Sequence, residues 1–229
     1  MAPIHDAANN GRVETLGRLL AEGVSPDATD DRAQTPLHCL CRSTYNGGTY
    51  NGGAYNGVLC VKLLIEAGAD LEAVDRDGYT PLHLCPARTT NFQIVSLLVE
   101  AGANVNAVNN YGSTALHYAY ANCDAVYLVE LLLAAGASVN VRNASGRTPF
   151  DTVLDWDRRR TWPLFLRAGA EIPTNITDPY LIRVRNAGGW KKYEQQHLAR
   201  ITSILAPTPL LPPELVRHVV GFWLHAGYY

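Results

Sequence analysis

The sequence predicts an α-rich repeat solenoid of about five helix–turn–helix units joined by hairpin loops, followed by a short helical C-terminal segment. Three observations carry that prediction. A four-residue signature recurs as Thr35-Pro36-Leu37-His38, Thr80-Pro81-Leu82-His83, Thr114-Ala115-Leu116-His117 and Thr148-Pro149-Phe150-Asp151, with a variant, Ala2-Pro3-Ile4-His5, at the start. A glycine closes the apolar stretch after each signature, at Gly23, Gly68, Gly102, Gly136 and Gly169, so the spacings are 45, 34, 34 and 33 residues, the period of a helical repeat. Counting back from those glycines gives three apolar columns: Leu16, Val61, Val95, Val129 and Trp162; Leu19, Leu64, Leu98, Leu132 and Phe165; Leu20, Ile65, Val99, Leu133 and Leu166. Offsets of three and four residues put all three on one helix face, a stripe that only a neighbouring unit can cover.

Each element has a local cause. Threonine before proline starts a helix, because the hydroxyl caps orphan amides and proline has no amide to leave unpaired at the first helical position. The closing glycine accepts the left-handed conformation that ends the second helix. The polar stretches between glycine and the next threonine read as turn-tipped hairpins. In the first of them Ala33 stands where Gly78, Gly112 and Gly146 stand later, so that turn is expected to differ in shape or to be mildly strained. The 45-residue spacing contains a low-complexity insertion, residues 44–57, with Tyr45, Tyr50 and Tyr55 among Asn and Gly. It reads as a mobile surface loop that the fold tolerates.

These residues resemble the ankyrin repeat family, whose TPLHxA signature and helix–turn–helix–hairpin unit recur from about Ala2 to Pro173. The resemblance implies repeats at about 2–34, 35–79 (with the inserted loop), 80–113, 114–147 and 148–173, forming one domain over residues 1–173. It also implies protein recognition on a concave face lined by hairpins and first helices. The ends depart from the pattern, as the ends of a finite stack must. Repeat 1 has no upstream hairpin in this sequence, and repeat 5 has Asp151 in place of histidine and Trp162-Pro163 in its second helix.

On that frame the residue before each signature, Gln34, Tyr79, Ser113 and Arg147, is expected to project onto the concave side. The hairpin tips Asp31, Arg32, Arg76, Asp77, Asn110, Tyr111, Ala144 and Ser145 are expected beside it. Tyrosine and arginine at exposed turns point to partner binding, since hot spots are enriched in both.

Residues 174–229 read as a separate helical segment. Tyr180, Leu181, Ile182 and Val184 lie on one predicted helix broken by Gly188-Gly189, and a second runs from about Trp190 to Leu205. After a proline-rich linker, Leu211-Pro212-Pro213-Glu214-Leu215 and the apolar stretch through Phe222-Trp223 resemble the opening of an F-box over residues 211–223. That likeness implies Leu211, Pro212, Glu214, Leu215, Val219 and Phe222 as contacts for a ubiquitin-ligase adaptor. The alternative is that Leu215, Val219 and Phe222 seal the end of the stack.

Composition bounds the function. A net charge of -2 and 17% charged residues give no overall basic field for nucleic acid, and no stretch of about 20 apolar residues would span a membrane. Five cysteines without CxxC spacing read as reduced thiols of a cytoplasmic or nuclear protein. The motif histidines are expected in structural hydrogen bonds rather than on a metal, and no cofactor is expected. Neither a nucleophile elbow nor a phosphate loop nor an HExxH helix is present. The expectation is a non-enzymatic, monomeric scaffold for protein partners, or alternatively the substrate receptor of a cullin-type ligase. A basic area from Arg158 to Arg160, joined by Arg183, Arg185, Lys191 and Lys192, is a further candidate surface for an acidic partner.

Overall fold

The computed structural model describes residues 3–45, 54–85, 92–121, 125–156 and 158–205. Among them are eleven α-helices and no strands. The repeat helices come in pairs: α1 Pro3–Asn9 with α2 Val13–Ala21, α3 Pro36–Tyr45 with α4 Ala54–Glu66, and α5 Pro81–Leu84 with α6 Phe92–Glu100. A 3-10 helix, Ala115–Ala121, pairs with α7 Ala125–Ala134, and α8 Pro149–Asp155 follows. A second 3-10 helix, Arg159–Thr161, leads into α9 Trp162–Arg167; α10 Pro179–Asn186 and α11 Trp190–Leu205 complete the described chain. Helix α3 continues through Tyr45 and α4 begins at Ala54, so both ends of the 44–57 stretch are helical; residues 46–53 lie outside the described residues.

The chain divides into two compact units, Met1–Thr152 and Val153–Tyr229. In the first, α1, α3, α5 and the first 3-10 helix pack in sequence, as do α2, α4, α6 and α7. Leu16, Val61, Val95 and Val129 are fully buried, and so are Leu64, Leu98 and Leu132. Leu20, Ile65, Val99 and Leu133 are half-buried, at the margin of the stripe. The core therefore runs continuously from repeat to repeat, each unit covering the apolar face of the one before.

Two ladders tie the loops together. An amide in each hairpin donates to a carbonyl in the previous one: Arg76 to Arg32 at 3.1 Å, Asn110 to Asp77 at 3.1 Å and Ala144 to Tyr111 at 2.8 Å. Behind them, Asp27 accepts from the Asp70 amide at 2.8 Å, Glu72 from Asn104 at 2.7 Å and Asn106 from Ser138 at 2.8 Å. The hairpins thus satisfy their backbone mostly through side chains and neighbouring loops rather than through a regular strand ladder.

In the second unit, Val153, Trp162, Phe165, Leu166, Tyr180, Leu181, Val184, Trp190 and Tyr193 form the core. Trp162 stacks on Tyr180 at 6.4 Å, and Tyr180 meets Tyr193 edge-on at 5.7 Å. Asp178 starts α10 by accepting the amides of Tyr180 (2.9 Å) and Leu181 (3.3 Å). Gly188 and Gly189 take left-handed φ of 86° and 103° and end it, where a side chain would be strained.

Candidate protein-interaction surface

The hairpins are built by an acidic or amide side chain at the first turn position. Asp30, Asp75, Asn109 and Asn143 each accept, through one Oδ1, the amides two and four residues on, at 2.8–3.1 Å. Burial alone would raise the Asp30 pKa, but the amides of Gln34 and Arg32 outweigh it and hold it below the usual value. The turn also needs a left-handed residue. Gly78, Gly112 and Gly146 adopt φ of 76°, 67° and 74°, and Ala33 adopts the same conformation at 58°. The first hairpin therefore keeps the shape of the others, and the missing glycine appears as strain.

The motif histidines join one repeat to the next. His38 Nδ1 accepts from the Thr35 amide (3.2 Å) and lies 2.9 Å from its hydroxyl, while Nε2 donates to the Tyr79 carbonyl at 2.9 Å. His83 reaches the Ser113 carbonyl at 3.0 Å and His117 that of Arg147 at 3.1 Å in the same way. With both ring nitrogens committed to protein groups, these three histidines have no lone pair to offer a metal. Burial lowers the pKa of each, which favours the neutral ring this geometry requires. His5 makes the onward bond to Gln34 at 2.9 Å, but its buried Nδ1 has no hydrogen-bond partner. Asp151 takes the Thr148 amide at 2.8 Å and returns its own amide to the Thr148 hydroxyl at 3.2 Å. A carboxylate completes this capping box but cannot donate onward to a carbonyl.

The expected binding residues divide into three groups. Asp31, Arg32, Arg76, Asp77, Asn110, Tyr111, Ala144 and Ser145 are exposed at the hairpin tips. Tyr79 and Arg147 are half-buried. Gln34 and Ser113, expected to project outward, are instead buried. Gln34 Nε2 donates to Asp75 Oδ2 at 3.0 Å, and the Ser113 hydroxyl accepts from Asn143 at 3.4 Å. A small or amide side chain at this position reaches the adjacent hairpin and is enclosed by it. The adaptor candidates Leu211, Pro212, Glu214, Leu215, Val219 and Phe222 lie outside the described residues.

Tyr79, by contrast, joins a cluster that one-repeat reasoning missed. Its ring lies 5.8 Å from Tyr118, 6.2 Å from Tyr111 and 5.9 Å from His83. The Tyr79 and Tyr118 hydroxyls are 3.2 Å apart, and Asn109 donates to Tyr118 at 2.9 Å. Burial, followed by the hydrogen bond to Tyr118, pushes the Tyr79 phenol up, so it is neutral at physiological pH. Tyr111 forms the open end of the cluster, 52% exposed, and the same hairpins expose Val74 and Val108, each 55%. The available signal for Tyr118 was its place immediately after His117, but nothing within its own repeat pairs it with Tyr79.

Among the described residues, no group of three or more His, Cys, Asp or Glu converges as a metal site, and no helix is long and apolar enough to cross a membrane. Cys39, Cys41, Cys60 and Cys85 are buried thiols outside any disulfide. Burial pushes Cys39 and Cys60 up to about 11 and raises Cys85 as well, which suppresses the reactive thiolate.

Stacked helix pairs, hairpins closed by Asx side chains and histidine bridges from repeat to repeat define a helical-repeat stack. Comparison with known proteins agrees. Residues 52–143 match a family model described as ankyrin repeats (3 copies), and residues 4–47 match one described as ankyrin repeats (many copies). The chain belongs to the ankyrin repeat family. It is 30% identical over 79 residues to the ankyrin repeat-containing protein P1E11.10 of Schizosaccharomyces pombe, covering 34% of this chain and 32% of that one. It is 36% identical over 72 residues to the potassium channel KOR2 of Oryza sativa subsp. japonica, covering 31% of this chain and 8% of that one. The matched stretch is thus about a third of the first relative and under a tenth of the second. Ankyrin repeats are generally protein–protein interaction modules.

Proposed function

We propose that this chain is a non-enzymatic interaction module whose partner docks on the hairpin tips that close repeats 2 and 3 and on the inner helices of repeats 3 and 4, with Tyr111 as the central anchor. The observation that carries the proposal is the tyrosine cluster. Tyr79 and Tyr118 are bonded through their hydroxyls, and Tyr79 packs against Tyr111, which stays exposed on hairpins that also expose Val74 and Val108. A rigid aromatic with apolar flanks binds well because little side-chain entropy remains to be lost. Arg76, Asp77 and Asn110 on the same tips supply a polar rim. The face binds by shape, so its partner is a folded protein surface or peptide.

The test begins with partners recovered from cell extract and identified by mass spectrometry, and continues with affinity measured on the purified pair. Tyr111→Ala should fold as the parent does, since surface substitutions stay within about 0.5 kcal/mol. It should nevertheless weaken binding by about 2 kcal/mol or more. Equal affinity of parent and folded variant would overturn the proposed face.

A further inference from the structure

The second unit holds a half-open cleft of about 190 Å³ lined by Arg159, Trp162, Pro163, Asp178, Pro179, Tyr180 and Arg183. Small-molecule and cofactor sites occupy roughly 300–1,000 Å³, so this one accommodates a side chain rather than a cofactor. Its walls are proline and aromatic rings, and two guanidinium groups stand at it.

The two arginines differ in what they have left to offer. Arg159 sits over the Trp162 ring at 4.9 Å and pairs with Asp178 at 3.0 Å. Arg183, exposed on α10, uses Nε to donate to the Pro179 carbonyl at 3.3 Å. Arg183 lines the cleft, and a bond made through Nε leaves its two terminal nitrogens for a ligand, the fork that matches a carboxylate. Two neighbouring arginines are occupied elsewhere. Arg167 pairs with Glu194 at 3.0 Å, and Arg185 donates to the Pro173 and Thr174 carbonyls at 3.2 and 2.8 Å. Charge along the chain is segregated: residues 1–152 carry nine Lys and Arg against fifteen Asp and Glu, and residues 153–229 carry ten against six.

We propose that this cleft is a second binding site, independent of the repeat face, that takes an Asp or Glu side chain of an acidic linear peptide, with the carboxylate on Arg183 and its apolar neighbour against Pro163 and Pro179. A nucleic acid would require a track of cations and exposed aromatic faces for stacking. Here Trp162 and Tyr180 are only 4% and 7% exposed. A phosphopeptide would call for several free guanidiniums, whereas Asp178 already holds Arg159.

Fluorescence anisotropy on the full chain tests the assignment, using a labelled peptide in which Asp-Glu pairs alternate with Leu, its Asn-Gln counterpart, a phosphoserine counterpart and an oligouridylate. The acidic peptide should bind and the neutral one should not, with binding falling as salt rises. Arg183→Gln should weaken it by about tenfold or more, and Arg183→Lys by less, because the charge remains but the fork is lost. Arg183 is exposed, so circular dichroism should show both variants folded. Equal binding of acidic and neutral peptides, or no effect of Arg183→Gln in a folded chain, would overturn the site. Phosphopeptide or oligouridylate binding more than about tenfold tighter than the acidic peptide would overturn its assignment to carboxylates.

Discussion

Ala33 and Gly78 occupy the same place in successive hairpin turns, and exchanging their side chains should move stability in opposite directions. Both residues are left-handed, with φ of 58° and 76°. An L side chain in that region costs about 1–2 kcal/mol, and glycine gives back about 0.4–1 kcal/mol through its freer unfolded chain. Ala33→Gly should therefore stabilise the protein by about 0.5–1 kcal/mol. Gly78→Ala acquires the same net strain and meets an obstacle as well. A Cβ at position 78 would lie 2.5 Å from Asn110 Oδ1 and 2.8 Å from the Asn110 amide nitrogen. Asn110 is the residue that joins the two hairpins, through its amide to Asp77 and its side chain to the Arg76 carbonyl, both at 3.1 Å. Moving it weakens two hydrogen bonds worth about 0.5–1.5 kcal/mol each, so the loss should reach about 2–4 kcal/mol. Urea unfolding followed by circular dichroism measures both. The transitions must be compared in midpoint and slope, because a repeat stack that begins to unfold unit by unit shows a lower slope rather than a simple shift. A destabilising Ala33→Gly, or a Gly78→Ala no worse than neutral, would refute the reasoning from backbone conformation and contact.

Two further predictions concern groups enclosed between repeats. His38, His83 and His117 have pKa values lowered from 6.5 by burial, so below pH 6.5 the unfolded chain takes up protons that the folded chain refuses. Their contribution is complete above that pH and is lost as the pH falls toward the depressed folded values. The urea midpoint should therefore drop between about pH 7 and pH 5, and less steeply in His83→Gln; an identical slope in that variant would remove His83 from the account. The thiols of Cys39, Cys60 and Cys85, buried and raised in pKa, should be modified by a thiol reagent only as fast as the protein opens. Peptide mapping by mass spectrometry reads this residue by residue, and rapid labelling of Cys60 in the folded protein would contradict its burial.

The repeat architecture was legible in the sequence because each of its determinants is local. Thr-Pro starts a helix, a glycine ends the next, and the three- and four-residue offsets of Leu16, Leu19 and Leu20 and their counterparts mark one face whatever surrounds them. Even the helix breaks at Gly188 and Gly189 follow from backbone conformation alone. The candidate surface was legible only in part, because exposure at position 34, 79, 113 or 147 depends on what the adjacent repeat places opposite. Tertiary structure closed Asp75 over Gln34 and Asn143 over Ser113, left Tyr111 outside, and brought Tyr118 to Tyr79 across 39 residues of sequence. It also paired Arg159 with Asp178 and set Arg183 in the lining of a cleft. Periodicity records which side of a helix is apolar; only the packed neighbour determines which polar groups find partners there and which remain available to a ligand.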